Sequence, residues 1–336
     1  MKALSKNLIN NFREYANING LRAVFDEISL SGLTSFKIGG IASVFLTIQT
    51  KQQLELLFQY PDIDELHWKI LGGGTNVLIS SDGFPGMIIR LGQEFLQVKE
   101  RGDSELEIGA ANRTSSASKK LAMQGYANLE FLCTIPGTFG GAALQNAGCF
   151  GSEISKILTG VEYFDGREIR FKKTGEIKFG YRFSEFQSHN RKHDFSDLPG
   201  KLPESIIDTG PRIILSVCIR SKLNPKDSEP YRITQQQIEK FHQLRKQNQP
   251  KNRKSAGSVF KNPAGSMKAW ELIDACSLRG KIKGGAQISP EHANFIINYN
   301  HAVSDDVYYL IQFAEEMVWK KFSIKLEREI ELVGNF

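Results

Sequence analysis

Two glycine-rich segments offer the first chemistry. Leu71-Gly-Gly-Gly-Thr-Asn-Val-Leu-Ile-Ser follows a short apolar stretch that reads as a strand. Glycines let a backbone approach a ligand closely, and successive N–H groups in such a turn can converge on phosphate oxygens. The dinucleotide fingerprint of a βαβ unit fails here. Gly72-x-Gly74 leads to Val77 where a last glycine belongs, Val77–Ser80 reads as a strand, and no acidic residue stands at the expected distance. A Walker loop fails as well, because no Gly-Lys-Ser/Thr follows. A plain tight turn remains the alternative for this segment taken alone. The second segment, Leu132-Cys-Thr-Ile-Pro-Gly-Thr-Phe-Gly-Gly-Ala-Ala-Leu-Gln-Asn-Ala-Gly-Cys-Phe-Gly, is rarer. Pro136 and Gly137 mark a turn, and Gly140-Gly141-Ala142-Ala143 reads as the opening of a helix, where small residues suit close packing and anion binding. A helix–sheet contact without a ligand explains it equally well alone. Two such segments in one basic chain favour a dinucleotide.

Other positions carry groups that could react or bind. Arg182, in Phe179-Gly-Tyr-Arg-Phe-Ser, could grip a carboxylate at two points, although an ordinary surface arginine is the commoner case. Ser258 follows Ala256-Gly257, a flexible setting, yet a serine is a poor acid unless its alkoxide is stabilised, and a turn serine is the plain reading. Glu327, Glu329 and Glu331 alternate, so an extended chain puts all of them on one face. A solvated edge whose charges discourage aggregation is the plain reading there, and it is kept for Glu327 and Glu331. Lys261-Asn262 is preceded by the basic run Arg245-Lys246, Lys251, Arg253 and Lys254. That run is either a solvated helix end or a source of positive potential for a nucleotide diphosphate. His189-Asn-Arg-Lys-His193 has a metal-site spacing but no HExxH glutamate, and two cations separate its histidines, so no metal is expected. Cys133, Cys149, Cys218 and Cys276 form no CxxC and read as reduced thiols; Cys149 has no evident catalytic partner.

The elements around these residues must position them. The chain has 336 residues, 40% apolar and 24% charged, an ordinary globular balance with room for more than one substructure. The net charge of +6 favours anionic partners, whether nucleic acid or phosphorylated small molecules. No apolar run spans a bilayer, and the first residues lack the apolar core of a secretory signal, so a cytoplasmic protein without membrane insertion is expected. Strands are expected at Val44–Ile48, Trp68–Leu71, Gly86–Leu91, Phe95–Glu100 and Glu105–Ala110, with a helix over Gln52–Tyr60. A helix over Thr114–Gln124 would be capped by Thr114 or Ser115 and stopped by Gly125. Val161–Lys172 reads as a hairpin about Asp165-Gly166, His189–Pro211 as a surface excursion, and Ile213–Ile219 as a buried strand. After the linker-like Asn224–Pro230 come helices Ile233–Gln247, Met267–Cys276 and Asp305–Phe322, strands Ala286–Ser289 and Asn294–Asn298, and a final strand Ile324–Val333.

The ordered motifs carry a resemblance. Thr34-Ser-Phe-Lys-Ile-Gly-Gly40, Leu71–Leu78, Ile135-Pro-Gly-Thr-Phe-Gly-Gly-Ala with Gln145-Asn-Ala-Gly, and Phe179-Gly-Tyr-Arg-Phe-Ser appear in turn. Ser255-Ala-Gly-Ser-Val-Phe-Lys-Asn-Pro, Gly284-Gly-Ala-Gln-Ile-Ser and Leu326-Glu-Arg-Glu follow. Together they closely resemble the UDP-N-acetylmuramate dehydrogenase (UDP-N-acetylenolpyruvoylglucosamine reductase) family, in its shorter branch that lacks a tyrosine-bearing loop. The resemblance implies an α+β chain: a two-part FAD-binding region of the vanillyl-alcohol-oxidase (PCMH) type, then a smaller α+β substrate-binding domain. The parts would be 1–92 and 93–223 for FAD, 224–322 for substrate, and 323–336 as a C-terminal strand carrying the catalytic glutamate.

The resemblance also implies a reaction. FAD would take a hydride from NADPH and pass it to the enolpyruvyl ether of UDP-N-acetylglucosamine, giving UDP-N-acetylmuramate for peptidoglycan. Arg182 and Glu329 would polarise the substrate carboxylate, and Ser258 would protonate the enolate. FAD contacts would be Gly39, Gly72, Gly73, Gly74, Thr75, Asn76, Pro136, Gly137, Gly140, Gly141, Asn146 and Gly148. Substrate contacts would be Tyr181, Arg245, Lys261 and Asn262. A monomer acting on a small molecule, without nucleic acid, is expected. The chain departs from the family pattern at Ala111, Phe183 and Gln187. Rival readings are another flavoenzyme of the same cofactor fold, and a nucleotide-sugar or nucleic-acid binder without catalysis.

Overall fold

Ala42–Ile48 alternates strictly between buried and half-buried residues, the pattern of a strand with one face in a core. It lies in a mixed sheet ordered Ala23–Phe25, Ala42–Ile48, Phe84–Leu91, Lys69–Ile70, whose last three strands are parallel. Val44, Leu46 and Ile48 pack against Leu54 and Leu57 of the helix Lys51–Phe58, which Thr50 caps by accepting from Gln53 N at 3.2 Å. The same core takes Leu8, Phe12 and Ala16 from an N-terminal helix, Lys6–Ile18, that the sequence reading passed over. This computed structural model describes residues 3–189, 212–250, 254–265 and 267–336. The excursion expected up to Pro211, with His193, and the basic residues Lys251 and Arg253 therefore lie outside the described residues.

A second sheet is antiparallel throughout, ordered Ile169–Lys173, Leu158–Phe164, Ile213–Arg220, Glu105–Gly109, Val98–Glu100. Its middle strand, Ile213–Arg220, is buried up to its last residue, which is why it reads as an unbroken apolar run. The hairpin at Asp165 closes as expected, Asp165 Oδ1 accepting from the backbone of Arg167 and Glu168, each at 2.9 Å. The helix Thr114–Gln124 ends at Gly125, whose φ of 115° is a glycine conformation. Its N-cap is Arg113 without a side-chain bond, so the capping role expected of Thr114 or Ser115 is corrected. Phe95 is not in a strand either: a short 3-10 turn, Gln93–Leu96, precedes Val98–Glu100.

The C-terminal unit packs helices Ala269–Ala275 and Ser304–Phe322 on the small sheet Ile282–Lys283, Ala286–Ile288, Ile296–Asn298, around Leu272, Ile288, Ile296 and Leu310. Two connections cross the expected boundaries. Helix Glu229–Asn248, assigned from sequence to the substrate domain, sits on the second unit. There Gln235 donates to the Ala122 carbonyl at 3.0 Å, Thr234 to Glu130 at 2.9 Å, and Phe241 stacks on Phe150 at 4.4 Å between ring centroids. The C-terminal strand Glu331–Val333 leaves its own unit and pairs in parallel with Val77–Ile79 of the first. Only that stretch of the expected Ile324–Val333 is regular strand, because the chain before it is held by single bridges to the 259–261 segment. No helix among the described residues is long and apolar enough to cross a membrane.

Candidate active site

The two glycine segments face each other. A Cβ on Gly73 would stand 2.6 Å from Gly137 Cα, one on Gly72 2.7 Å from Thr138 Oγ1, and one on Gly137 2.9 Å from Thr75 Oγ1. Gly140 is equally tight against Ala110, at 2.9 Å from its Cβ. Side chains at these positions would push the segments apart, so the glycines set their spacing. From residue 72 to 76 no backbone N–H donates to a protein acceptor among the described residues. Successive unpaired donors on a glycine turn fit the phosphates of a dinucleotide. Gly39 and Gly148 are placed differently: Gly39 packs on Ile79 and Leu30, and Gly148 pairs in a short ribbon with Glu153. Pro136 is exposed beside Gly137.

A cavity of about 1450 Å³ opens between the units. One wall carries Gly72, Thr138, Gly140 and Gly141 with Ala110 and Ala111; another carries Arg182, Lys261, Glu327, Glu329 and Glu331. Ordinary small-molecule pockets hold about 300–1,000 Å³, so this one has room for a dinucleotide and a second ligand side by side.

Phe179–Gly180 and Phe183–Ser184 form a ribbon that places Tyr181 and Arg182 at its turn. Arg182 has a φ of 54°, uncommon for a residue with a side chain. Gln187 Nε2 donates to its carbonyl at 3.2 Å, and its Nε donates to Glu329 Oε1 at 2.8 Å. Its guanidinium lies 5.5 Å from the Tyr181 ring centre. Tyr181 is exposed, and its hydroxyl accepts from Asn262 N at 3.4 Å. The Asn262 side chain in turn accepts from Ala269 N at 3.1 Å, at the start of a helix.

Glu329 enters the wall on a chain fixed from both sides. Its N–H donates to the Val259 carbonyl and Lys261 N donates to the Glu327 carbonyl, both at 2.8 Å. Burial pushes the Glu329 carboxyl above its usual range, while Arg182 and Lys261 pull it back. Its neighbours are paired too, Glu327 with Lys261 and Glu331 with Lys69. The three glutamates line the cavity together with Arg328 and Ile330 between them, since this stretch is not a regular strand. The solvated-edge reading is corrected for Glu331, whose strand pairs with Val77–Ile79; Glu327 precedes that pairing and is 41% exposed in its ion pair with Lys261.

Ser258 is half-buried beside Val259, whose carbonyl holds Glu329 N. Arg245 donates to Gln249 at 2.8 Å and to Thr134 at 3.5 Å, against the second unit. Asn76 and Asn146, read as cofactor contacts, spend their amides on backbone: Asn76 Nδ2 donates to the Glu329 carbonyl and Asn146 Nδ2 to the Gly180 carbonyl, both at 2.9 Å. The sequence reading missed Lys69, Arg90 and Thr138 in the wall. Thr138 had a signal, since it caps the helix Phe139–Leu144 by accepting from Gly141 N at 3.3 Å, three residues on. Cys149 donates to the Phe131 carbonyl at 3.4 Å, and burial raises its thiol pKa, as it does for Cys133, pushed up to about 12. Such thiols are not nucleophiles.

Sequence and structure comparisons bear on this geometry. A family model for the C-terminal domain of UDP-N-acetylenolpyruvoylglucosamine reductase matches residues 249–333, beginning just past the helix Glu229–Asn248. A model for an FAD binding domain matches residues 42–170, which include both glycine segments. A UDP-N-acetylenolpyruvoylglucosamine reductase of Leptospira interrogans is 41% identical over 316 residues, covering 92% of this chain and 91% of that one. One from Carboxydothermus hydrogenoformans is 34% identical, covering 93% and 94%. Among solved structures, UDP-N-acetylenolpyruvylglucosamine reductase from Thermus caldophilus superposes with a TM-score of 0.72 at 30% identity, covering 93% of this chain and 98% of that one.

Proposed function

Because the chain belongs to the UDP-N-acetylenolpyruvoylglucosamine reductase family of FAD-dependent oxidoreductases, we propose that it reduces the enolpyruvyl ether of UDP-N-acetylglucosamine to UDP-N-acetylmuramate. NADPH is the hydride donor, the product is a peptidoglycan precursor, and the reaction runs in the cytoplasm. The observation that carries the reading is the Arg182–Glu329 pair, at 2.8 Å, on the wall of the cavity that Gly72 and Gly140 also line.

The 72–75 and 137–141 segments would hold FAD, which would supply hydride transfer between NADPH and the substrate alkene. Arg182 gives one N–H to Glu329, and its remaining donors are available for the substrate carboxylate. Two carboxylates beside one guanidinium repel, and a carboxyl whose pKa burial has raised takes up a proton more readily. Glu329 can then donate a hydrogen bond to the carboxylate oxygen on which enolate charge develops, while Arg182 balances that charge. Ser258 delivers the proton to carbon from the segment that fixes Glu329. Tyr181, Lys261, Asn262 and Arg245 receive the diphosphate and uridine. The test is anaerobic. NADPH is expected to bleach the flavin, and the enolpyruvyl substrate to restore its absorbance with formation of UDP-N-acetylmuramate. A bleached protein that stays bleached after substrate is added rules this function out.

A further inference from the structure

Each glycine segment carries an asparagine whose side-chain amide donates to a backbone carbonyl elsewhere in the chain. Asn76 lies in the first. Its Nδ2 donates to the Glu329 carbonyl at 2.9 Å, and its own carbonyl accepts from Glu331 N at 3.0 Å. Asn146 lies in the second and is fully buried, with a left-handed φ of 45°. Its Nδ2 donates to the Gly180 carbonyl at 2.9 Å, and its Oδ1 accepts from Ser155 N at 3.2 Å. Gly180 stands two residues before Arg182. Asn76 thus holds the backbone of Glu329, and Asn146 holds the ribbon whose turn carries Arg182.

We propose that Asn76 and Asn146 are positioning residues that tie the carboxylate-binding pair to the two flavin loops. Arg182 sits in a backbone conformation that costs energy and persists only where its surroundings over-determine it. Gln187 fixes its carbonyl from one side, and Asn146 fixes the ribbon from the other. Glu329 lies outside the regular strand, yet both its backbone groups are committed, N–H to Val259 and carbonyl to Asn76. A carboxamide suits both places because it presents a donor to a carbonyl, and asparagine tolerates the left-handed region. The distance between guanidinium and carboxyl is set through the loops that hold the cofactor. A substrate carboxylate is then presented to the pair at a fixed distance from the flavin.

The inference rests on the proposed function, and the experiment separates the two. Asn76→Asp and Asn146→Asp keep the size of the side chain and remove its donor. Asn146→Gly tolerates the same φ and serves if the buried aspartate prevents folding. For each purified variant, flavin content, the rate of bleaching by NADPH, and the rate of reoxidation by enolpyruvyl substrate are measured. Reoxidation is expected to slow by about 10- to 100-fold, the usual effect of a displacement near 1 Å, with bleaching within about threefold of wild type. In an Arg182→Met background the Asn146 change should add less than about threefold, since the two act through one network. Variants that lose flavin but reoxidise normally per bound flavin would overturn the proposal in favour of direct cofactor contacts. Effects that multiply independently of Arg182 would overturn it as well. Wild type that is not reoxidised overturns the function, whereas wild-type turnover shared by the variants overturns only the positioning role.

Discussion

Arg182 reaches Glu329 across 147 positions of sequence, its Nε donating to Oε1 at 2.8 Å. The partners come from different units: the arginine from a turn beside the antiparallel sheet, the glutamate from the chain that returns to Val77–Ile79. An adjacent guanidinium ordinarily lowers a carboxyl pKa, yet that of Glu329 is raised. Burial is the larger influence, with Arg182 only partly offsetting it. Burial thus leaves the Glu329 carboxyl easier to protonate in spite of its pairing with Arg182.

The sign of that balance gives a pH prediction. The limb of the reoxidation profile that Glu329→Gln abolishes should lie above the ordinary carboxylate range. Arg182 favours the ionised form, so Arg182→Met should move that limb to still higher pH. Stopped-flow reoxidation across a pH series reads both positions. A limb that moves down in Arg182→Met would show that the arginine does not act on this carboxyl.

Ser258→Ala should separate the half-reactions. Bleaching by NADPH should remain near the wild-type rate, while turnover of substrate falls by roughly 10²–10⁴-fold, the usual worth of a general acid. Glu329 is held by the Val259 carbonyl and by Arg182, and neither bond uses the Ser258 hydroxyl that the change removes. Unchanged turnover would remove the serine from the role.

The sequence showed some of this plainly and some not at all. Elements were legible where one period ran without interruption, as in Ala42–Ile48 and Ile213–Arg220. The N-terminal helix carries its apolar residues at positions 8, 12 and 16, a helical spacing thinned by intervening polar residues. Arg182 and Glu329 could be singled out by resemblance, but the bond between them could not, because ion pairs between distant segments leave no local pattern. The same holds for Glu331, whose pairing with Val77 no local pattern shows. The side-chain bonds of the two asparagines were hidden for a related reason. Their motif marked them as belonging to the loops, and only the fold shows that their amides donate to the Gly180 and Glu329 carbonyls.

Gly73→Ala tests the contact between the glycine segments. The new methyl would meet Gly137 Cα at 2.6 Å, and both partners are backbone, so neither can swing aside. Overpacking of this kind costs about 1–3 kcal/mol. Flavin should be lost in purification, and the melting temperature of the apoprotein should fall. Full flavin retention with an unchanged melting temperature would show that the segments can separate at no cost.

Lys261 and Glu327 give the last test. Their ion pair occupies the ammonium that the substrate diphosphate is proposed to use, and Glu327 is 41% exposed. Exposed pairs are worth about 0–1 kcal/mol, so displacing this one hinders binding only slightly. Lys261→Met should raise the substrate KM and leave bleaching by NADPH unaltered, because it removes a contact and no reacting group. Glu327→Gln frees the ammonium and should lower KM by no more than about fivefold, the equivalent of 1 kcal/mol. The gain should shrink as salt is added, since screening weakens the attraction between the freed charge and the diphosphate. A KM that rises in Glu327→Gln would mean that the carboxylate orients Lys261 for the substrate and does not compete with it.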